Sequence, residues 1–190
     1  MKIGIMGGNF DPPHIGHLIG AELALEKFAL DFVLFIPFNI PVHRESTQTP
    51  AEKRLKMVKL AIKGNKRFKA SDIEIKRGGK SYTIDTVREL QKIYKDAEFY
   101  IIIGTDQAEK FEEWKEYEEL LKICNFIILT RGKYDEEKIK NIFGEKANML
   151  KLELGVSSSE IRKRVKEGKT IKYMVPESVE KFIRREKLYL

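Results

Sequence analysis

The chain has 190 residues, 42% hydrophobic and 34% charged, and its 36 Lys+Arg against 29 Asp+Glu leave a net charge of +7. That length suits one domain, residues 1–190, with a sizeable core, and the apolar fraction excludes a disordered chain. The longest apolar runs, around 99–103 and 126–129, fall far short of the roughly 18 residues of a membrane span, and a single cysteine, Cys124, excludes an internal disulfide framework or a Cys-based zinc cluster.

Residues 3–6 form a short apolar run ending in Gly7-Gly8, which reads as a buried strand followed by a tight turn with the glycines free to take positive φ. Leu18, Ala21, Leu25 and Phe28 fall near helical spacing within 15–29, and 31–37 reads as a second strand. A helix is expected over 50–62, between Pro50 and Gly64, then an alternating strand over 69–75. The helix within 81–95 precedes a strongly apolar strand, 98–104, a helix over 109–122 and a strand over 125–130. A helix over 136–143, a strand over 149–154 and helices over 159–166 and 177–185 complete the pattern.

Strands alternating with helices predict an α/β fold: a doubly wound, Rossmann-like parallel sheet with helices on both faces, in a single domain whose C-terminal part, about 156–190, is helical. In such sheets ligands bind beyond the carboxyl ends of the strands. The turns after Met6, Phe35, Ile103, Leu129 and Leu154 are therefore the places to look for a site. Basic and acidic residues alternate through 50–67, 109–122 and 133–146, as on solvated helix faces. That spread speaks against a nucleic-acid partner, and the modest positive excess suits a small polyphosphate ligand. The glycine-broken N-terminus does not read as a signal peptide, no membrane partner is expected, and the expected compartment is the cytoplasm.

The turn after the first strand reads G-G-N-F-D-P-P-H-I-G-H, Gly7 to His17. His14 and His17 share one face at the start of a helix, whose free N–H groups and partial positive charge make a phosphate site. Two imidazole donors there would bind phosphate oxygens and stabilise charge developing on them. Gly16 would leave room for a ligand against the helix. A zinc pair is the alternative, but no third ligand lies nearby in sequence and metal-binding histidines more often sit four apart. A second candidate anion site is Val156-Ser157-Ser158-Ser159-Glu160-Ile161-Arg162: hydroxyls and amides at a helix start with an arginine one turn in. Taken by itself, the same string is also an ordinary capping box.

The first string resembles the F-D-P-x-H-x-G-H signature of the nucleotidylyltransferase superfamily, and the second resembles its I-S-S-T-x-I-R signature. Further segments are similar to the nicotinate mononucleotide adenylyltransferases: Pro37 to Arg44 to a P-x-x-x-P-x-H-K loop, Arg54 and Met57 to an R-x-x-M helix, and Glu74 to Thr86 to E-x-x-R…S-Y-T-x-D-T. Gly104-Thr105-Asp106 with Trp114 matches a G-x-D…W segment, and Tyr173-Met174-Val175-Pro176 a Y-x-V-P segment.

The resemblance implies transfer of AMP from ATP to nicotinate mononucleotide, with ATP as co-substrate and Mg²⁺ held mainly by the ATP phosphates and water. It implies an ATP half-site of Gly7, Gly8, Phe10, His14, His17, Gly104, Asp106, Ser157, Ser158 and Arg162, with His14, His17 and Arg162 as catalytic residues and no protein-held metal. It implies a mononucleotide half-site of Asn9, Asn39, His43, Arg44, Thr83, Trp114 and Lys115, with the nicotinate ring stacked on Trp114 and its carboxylate on backbone N–H groups near Thr83 and Lys115. The chain departs from the family pattern at Asn9 (usually Thr or Ser), Arg44 (usually Lys) and Ser159 (usually Thr).

Other readings stand beside these. Trp114 could be plain packing, Asp106 a helix cap, Arg44 and Arg54 solvated side chains, and Arg77 the partner of Glu74 across a turn. The acceptor could be nicotinamide mononucleotide or another phosphate, and a non-catalytic nucleotide- or RNA-binding protein would keep the same fold. A homo-oligomer is compatible with the sequence.

Overall fold

The computed structural model describes residues 1–42 and 49–190. The sheet has six strands: β1 (Lys2–Gly8), β2 (Phe32–Pro37), β3 (Phe68–Ala70), β4 (Glu98–Gly104), β5 (Asn125–Thr130) and β6 (Ala147–Lys151). All pair in parallel in the order β3-β2-β1-β4-β5-β6. This is the expected doubly wound sheet. β1 lies at its centre, where Ile3 sits between Phe32 of β2 and Phe99 of β4. All six residues of β2 are buried, as befits a strand covered on both faces.

The helices are α1 (Ile15–Lys27), α2 (Ala51–Ala61), α3 (Ile73–Arg77), α4 (Thr83–Ile93), α5 (Thr105–Ala108), α6 (Tyr117–Ile123), α7 (Glu136–Phe143), α8 (Ser158–Lys166) and α9 (Glu177–Arg185). On one face of the sheet, Ile5, Leu34, Ile101 and Ile128 pack with Val87 and Leu90 of α4, Leu120 of α6 and Ile139 of α7. On the other, Val33, Phe35, Ile102 and Ile127 pack with Ala21, Ala24 and Leu25 of α1 and Val58 of α2. Gly20 lets α1 approach closely: a Cβ there would lie 2.6 Å from Leu129 Cδ1. A third cluster, with Met57 of α2, Ile161 of α8 and Phe182 and Ile183 of α9, fastens the C-terminal helices to the domain. No helix among the described residues is long and apolar enough to cross a membrane.

Three expected elements differ. The strand expected over 69–75 stops at Ala70, and 73–77 form α3, because the Glu74 side chain turns inward, 2% exposed, instead of alternating outward. The helix expected over 109–122 is divided into a 3₁₀ turn, Phe111–Glu113, and α6. Trp114 is extended and Glu116 lies at φ 52°, with its carboxylate held by both terminal nitrogens of Arg88 at 3.2 and 2.6 Å. The last strand is 147–151, not 149–154, its register set by Ile127 against Asn148 and Leu129 against Leu150.

Candidate active site

Strand order reverses between β1 and β4, which opens a crevice at their carboxyl ends. The segment 9–14 leaves β1 there and enters α1. Gly7 and Gly8 end the strand in extended conformation, and the left-handed turn falls on Phe10, φ 49°, which corrects the expectation of positive φ at the glycines. The Phe10 ring is buried between Phe35, 5.9 Å away, and His17, 5.0 Å away.

His14 occupies the position before the first turn of α1, and His17 lies one turn on. Their rings are 3.8 Å apart and inclined by 31°. The His14 backbone N–H donates to His17 Nδ1 at 3.2 Å. With Nδ1 accepting, the neutral His17 ring carries its proton on Nε2 and offers it as a donor. His14 is 5% exposed. Burial, with a smaller contribution from the Arg131 guanidinium, lowers its pKa to about 4. Burial, then His14, then Arg131 hold His17 well below the ordinary imidazole value. Both rings are therefore neutral at pH 7 in the ligand-free protein. Gly16 makes room for the His14 ring and Val156: a Cβ there would lie 3.0 Å from His14 Nδ1 and 3.1 Å from Val156 Cγ1.

The start of α8 meets the same loop. Ser157 caps the helix, its Oγ accepting from the Glu160 N–H at 3.2 Å, which is the capping reading and is compatible with an anion site at the same helix start. Ser158 Oγ donates to the Pro12 carbonyl at 2.8 Å, and Arg162 Nη1 donates to the Asp11 carbonyl at 2.7 Å. Two helix starts, two imidazoles and the Arg162 guanidinium thus meet around residues 11–17, a donor set suited to phosphate oxygens. Gly104 ends β4 beside it, and a Cβ there would lie 2.6 Å from Asp106 Oδ1. Asp106 is paired with Arg131 at 3.1 Å.

A second group holds several of the residues expected on the mononucleotide side. The Asn39 N–H donates to Ser81 Oγ at 2.8 Å and its side-chain amide to the Gly79 carbonyl at 3.0 Å, which ties the turn after β2 to the segment before α4. Thr83 is the first residue of α4. Lys115 Nζ lies 3.1 Å from Asp85 and 4.8 Å above the Tyr82 ring, so the 114–116 turn is drawn to the start of α4. Trp114 packs against Phe111 at 5.2 Å and is partly exposed, so packing and ligand stacking are compatible roles. Asn9 Oδ1 is buried without a hydrogen-bond partner among the described residues. His43 and Arg44 lie outside the described residues.

Arg54 is not solvated: it is fully buried. Its Nε donates to Thr49 O at 3.0 Å, Nη1 to Asn9 O at 2.9 Å, and Nη2 to Phe38 O at 2.6 Å and Asn39 O at 3.1 Å. It fixes both loops without spending its fork on a ligand. Arg77 donates to Glu89 and Thr86, and the Thr86 hydroxyl, not Arg77, reaches Glu74 at 2.7 Å. Arg131, the cation that both histidines sense, is a residue the sequence motifs do not single out; its one signal is that it follows β5, at a strand end facing the crevice.

The cytidylyltransferase-like family matches residues 5–164. A probable nicotinate-nucleotide adenylyltransferase of Exiguobacterium sibiricum is 43% identical over 100% of this chain and 99% of its own length. Another, of a Thermoanaerobacter species, is 42% identical over 100% of this chain and 94% of its own. Among solved structures, the Plasmodium falciparum nicotinic acid mononucleotide adenylyltransferase complexed with NaAD superposes with a TM-score of 0.83 at 21% identity, covering 99% of this chain and 97% of that one, and so shares the fold. A putative nicotinate-nucleotide adenylyltransferase from Vibrio parahaemolyticus gives 0.71 at 25% identity over 99% and 94%. On the full-length identity to these relatives, the chain belongs to the nicotinate-nucleotide adenylyltransferases, within the cytidylyltransferase-like family.

Proposed function

We propose that this chain transfers AMP from ATP to nicotinate mononucleotide in the cytoplasm, releasing pyrophosphate and forming deamido-NAD, with the residues assembled above as its machinery. The observation that carries the reading is the convergence of His14, His17, Ser158 and Arg162 on the loop at the switch point of the sheet. An oxygen of the mononucleotide phosphate attacks the α-phosphorus of ATP in line, and the bond from that phosphorus to the bridging oxygen breaks toward pyrophosphate. The nucleophile needs no general base, because a phosphate monoester loses its second proton near pH 6. The protein's task is to align two polyanions and take up charge on the leaving group.

His17 serves that task as a neutral Nε2–H donor, held in that tautomer by the His14 amide. Arg162 and the α8 amides face the same phosphates from the other side. As charge gathers on the leaving pyrophosphate, the polyanion favours a proton on the depressed His14, whose Nδ1 has no hydrogen-bond partner among the described residues, while His17 stays the neutral donor. A Mg²⁺ ion carried in on the ATP phosphates would neutralise part of that charge; the imidazole, guanidinium and amide donors here suit the phosphate oxygens. We assign the mononucleotide side to Asn9, Asn39, His43, Arg44, Thr83, Trp114 and Lys115, with the nicotinate ring against the exposed part of Trp114.

Pyrophosphate release from ATP should be measured with nicotinate mononucleotide, nicotinamide mononucleotide and phosphopantetheine in turn. The expected order puts nicotinate mononucleotide first in kcat/KM. A higher value for either other acceptor would overturn the substrate reading, and no release with any of them would revive the non-catalytic one.

A further inference from the structure

The loop that presents the histidines is held by donors from remote parts of the chain: Arg54 on the Asn9 carbonyl, Arg162 on the Asp11 carbonyl and Ser158 on the Pro12 carbonyl. The Asp11 side chain is a further handle. It is 3% exposed, an acid buried in a loop built to receive phosphates. Its Oδ1 accepts a 2.6 Å hydrogen bond from the hydroxyl of Tyr189, which lies beyond α9. Tyr189 sits at φ 66°, a left-handed conformation that a bulky residue adopts only when its surroundings hold it there. The preceding residue is fixed by a bond from the Leu188 N–H to the Ile183 carbonyl at 3.0 Å, and the Tyr189 ring packs with the Met57, Ile161 and Ile183 cluster. The Arg162 guanidinium lies close by. Burial and the Asp11 carboxylate keep the phenol protonated, so it remains a donor.

We propose that Tyr189 is a positioning residue for adenylyl transfer: its hydroxyl, acting through the Asp11 carboxylate, fixes the loop that sets His14 and His17 against the phosphates. The inference rests on the proposed activity and goes beyond it, because it assigns a role to a side chain far from both signature motifs. A loop pinned through its carbonyls alone can still rock about them; a short bond to a buried side chain removes that freedom. Reacting groups displaced by a fraction of an ångström cost rate more than binding.

The test compares Tyr189→Phe, Asp11→Ala, Asp11→Asn and the Tyr189→Phe/Asp11→Ala pair with the wild type. Steady-state kcat and both KM values are read, with the folded fraction at the assay temperature from circular dichroism. Tyr189→Phe keeps the ring and its packing and loses the hydroxyl. It should lower kcat about tenfold while KM for ATP changes less than about threefold and the protein stays folded. The double variant should be no slower than Asp11→Ala, and Asp11→Asn, whose amide oxygen still accepts the phenol, should be faster than Asp11→Ala. Losses that multiply in the double variant, a Tyr189→Phe enzyme at wild-type kcat, or a kcat that merely tracks the folded fraction would overturn the inference. An inactive wild type would instead overturn the activity on which it rests.

Discussion

Arg54→Lys is the substitution that most directly tests how the two half-sites are held in register. The arginine is buried without exposed surface and spreads its donors over four carbonyls, on Thr49, Asn9, Phe38 and Asn39. Burial lowers its pKa from the ordinary value, while Asp11 and other nearby acids act in the opposite direction. Lysine keeps a positive charge but concentrates its donors on one nitrogen, which cannot reach carbonyls distributed around a planar fork. At least two carbonyls then lose a charge-assisted partner, at about 1–2 kcal/mol each, so the fold should lose about 2–4 kcal/mol. For a chain of this size, each kcal/mol lowers Tm by roughly 2–4 °C, which gives a fall of roughly 4–16 °C. Thermal unfolding followed by circular dichroism at pH 7 measures it. Because the released carbonyls belong to the loops carrying Asn9 and Asn39, KM for the mononucleotide should rise more than KM for ATP. A Tm within about 2 °C of the wild type would refute the reasoning, since one nitrogen would then have replaced the whole fork.

Further outcomes can be stated briefly. His17→Ala removes the donor fixed by the His14 amide and should lower kcat by about 10²–10³ with the fold intact; turnover within tenfold of wild type would remove its role. Trp114→Ala should raise KM for the mononucleotide while leaving KM for ATP near its wild-type value, and equal rises would count against ring stacking. The depressed His14 binds a proton more readily when unfolded than when folded, so its contribution to stability is complete above about pH 6.5 and is lost as pH falls toward 4. Urea unfolding at pH 7 and pH 4.5 should show a loss about 2–3 kcal/mol larger for wild type than for His14→Gln; equal losses would disprove the assignment.

The sheet was legible because its strands are nearly continuous apolar runs, and β2 and β5 carry scarcely an exposed residue. The errors came where a side chain's partner lies far away in sequence. Nothing local announces that Glu74 turns inward to Thr86, or that the chain turns left-handed at Glu116, beside Arg88, and so breaks the helix expected over 109–122. The two strings proposed for the phosphate side were legible because a histidine pair and a serine-rich helix start carry their chemistry in contiguous residues, and the fold brings them together. Arg131 and Tyr189 carry theirs only by position: one follows β5 into the crevice, the other returns to Asp11 from beyond α9.

The net charge of +7 is also less informative than its distribution. Many of the cations are matched on the surface, as Lys140 is by Glu136 and Lys181 by Glu177, and such exposed pairs contribute little. Arg54 is wholly committed to carbonyls, so its charge organises backbone instead of meeting substrate. Arg131 is matched by Asp106 at 3.1 Å. Arg162 has one terminal nitrogen on the Asp11 carbonyl and, in the proposed role, would approach phosphate from a fixed base. The two histidines at the centre are held neutral by burial and by that cationic neighbourhood. In the proposed reaction a polyanion entering the cleft would meet oriented N–H dipoles more than mobile charge, and its arrival would favour adding a proton to His14. With both rings neutral, the ligand-free protein avoids carrying two imidazolium ions 3.8 Å apart.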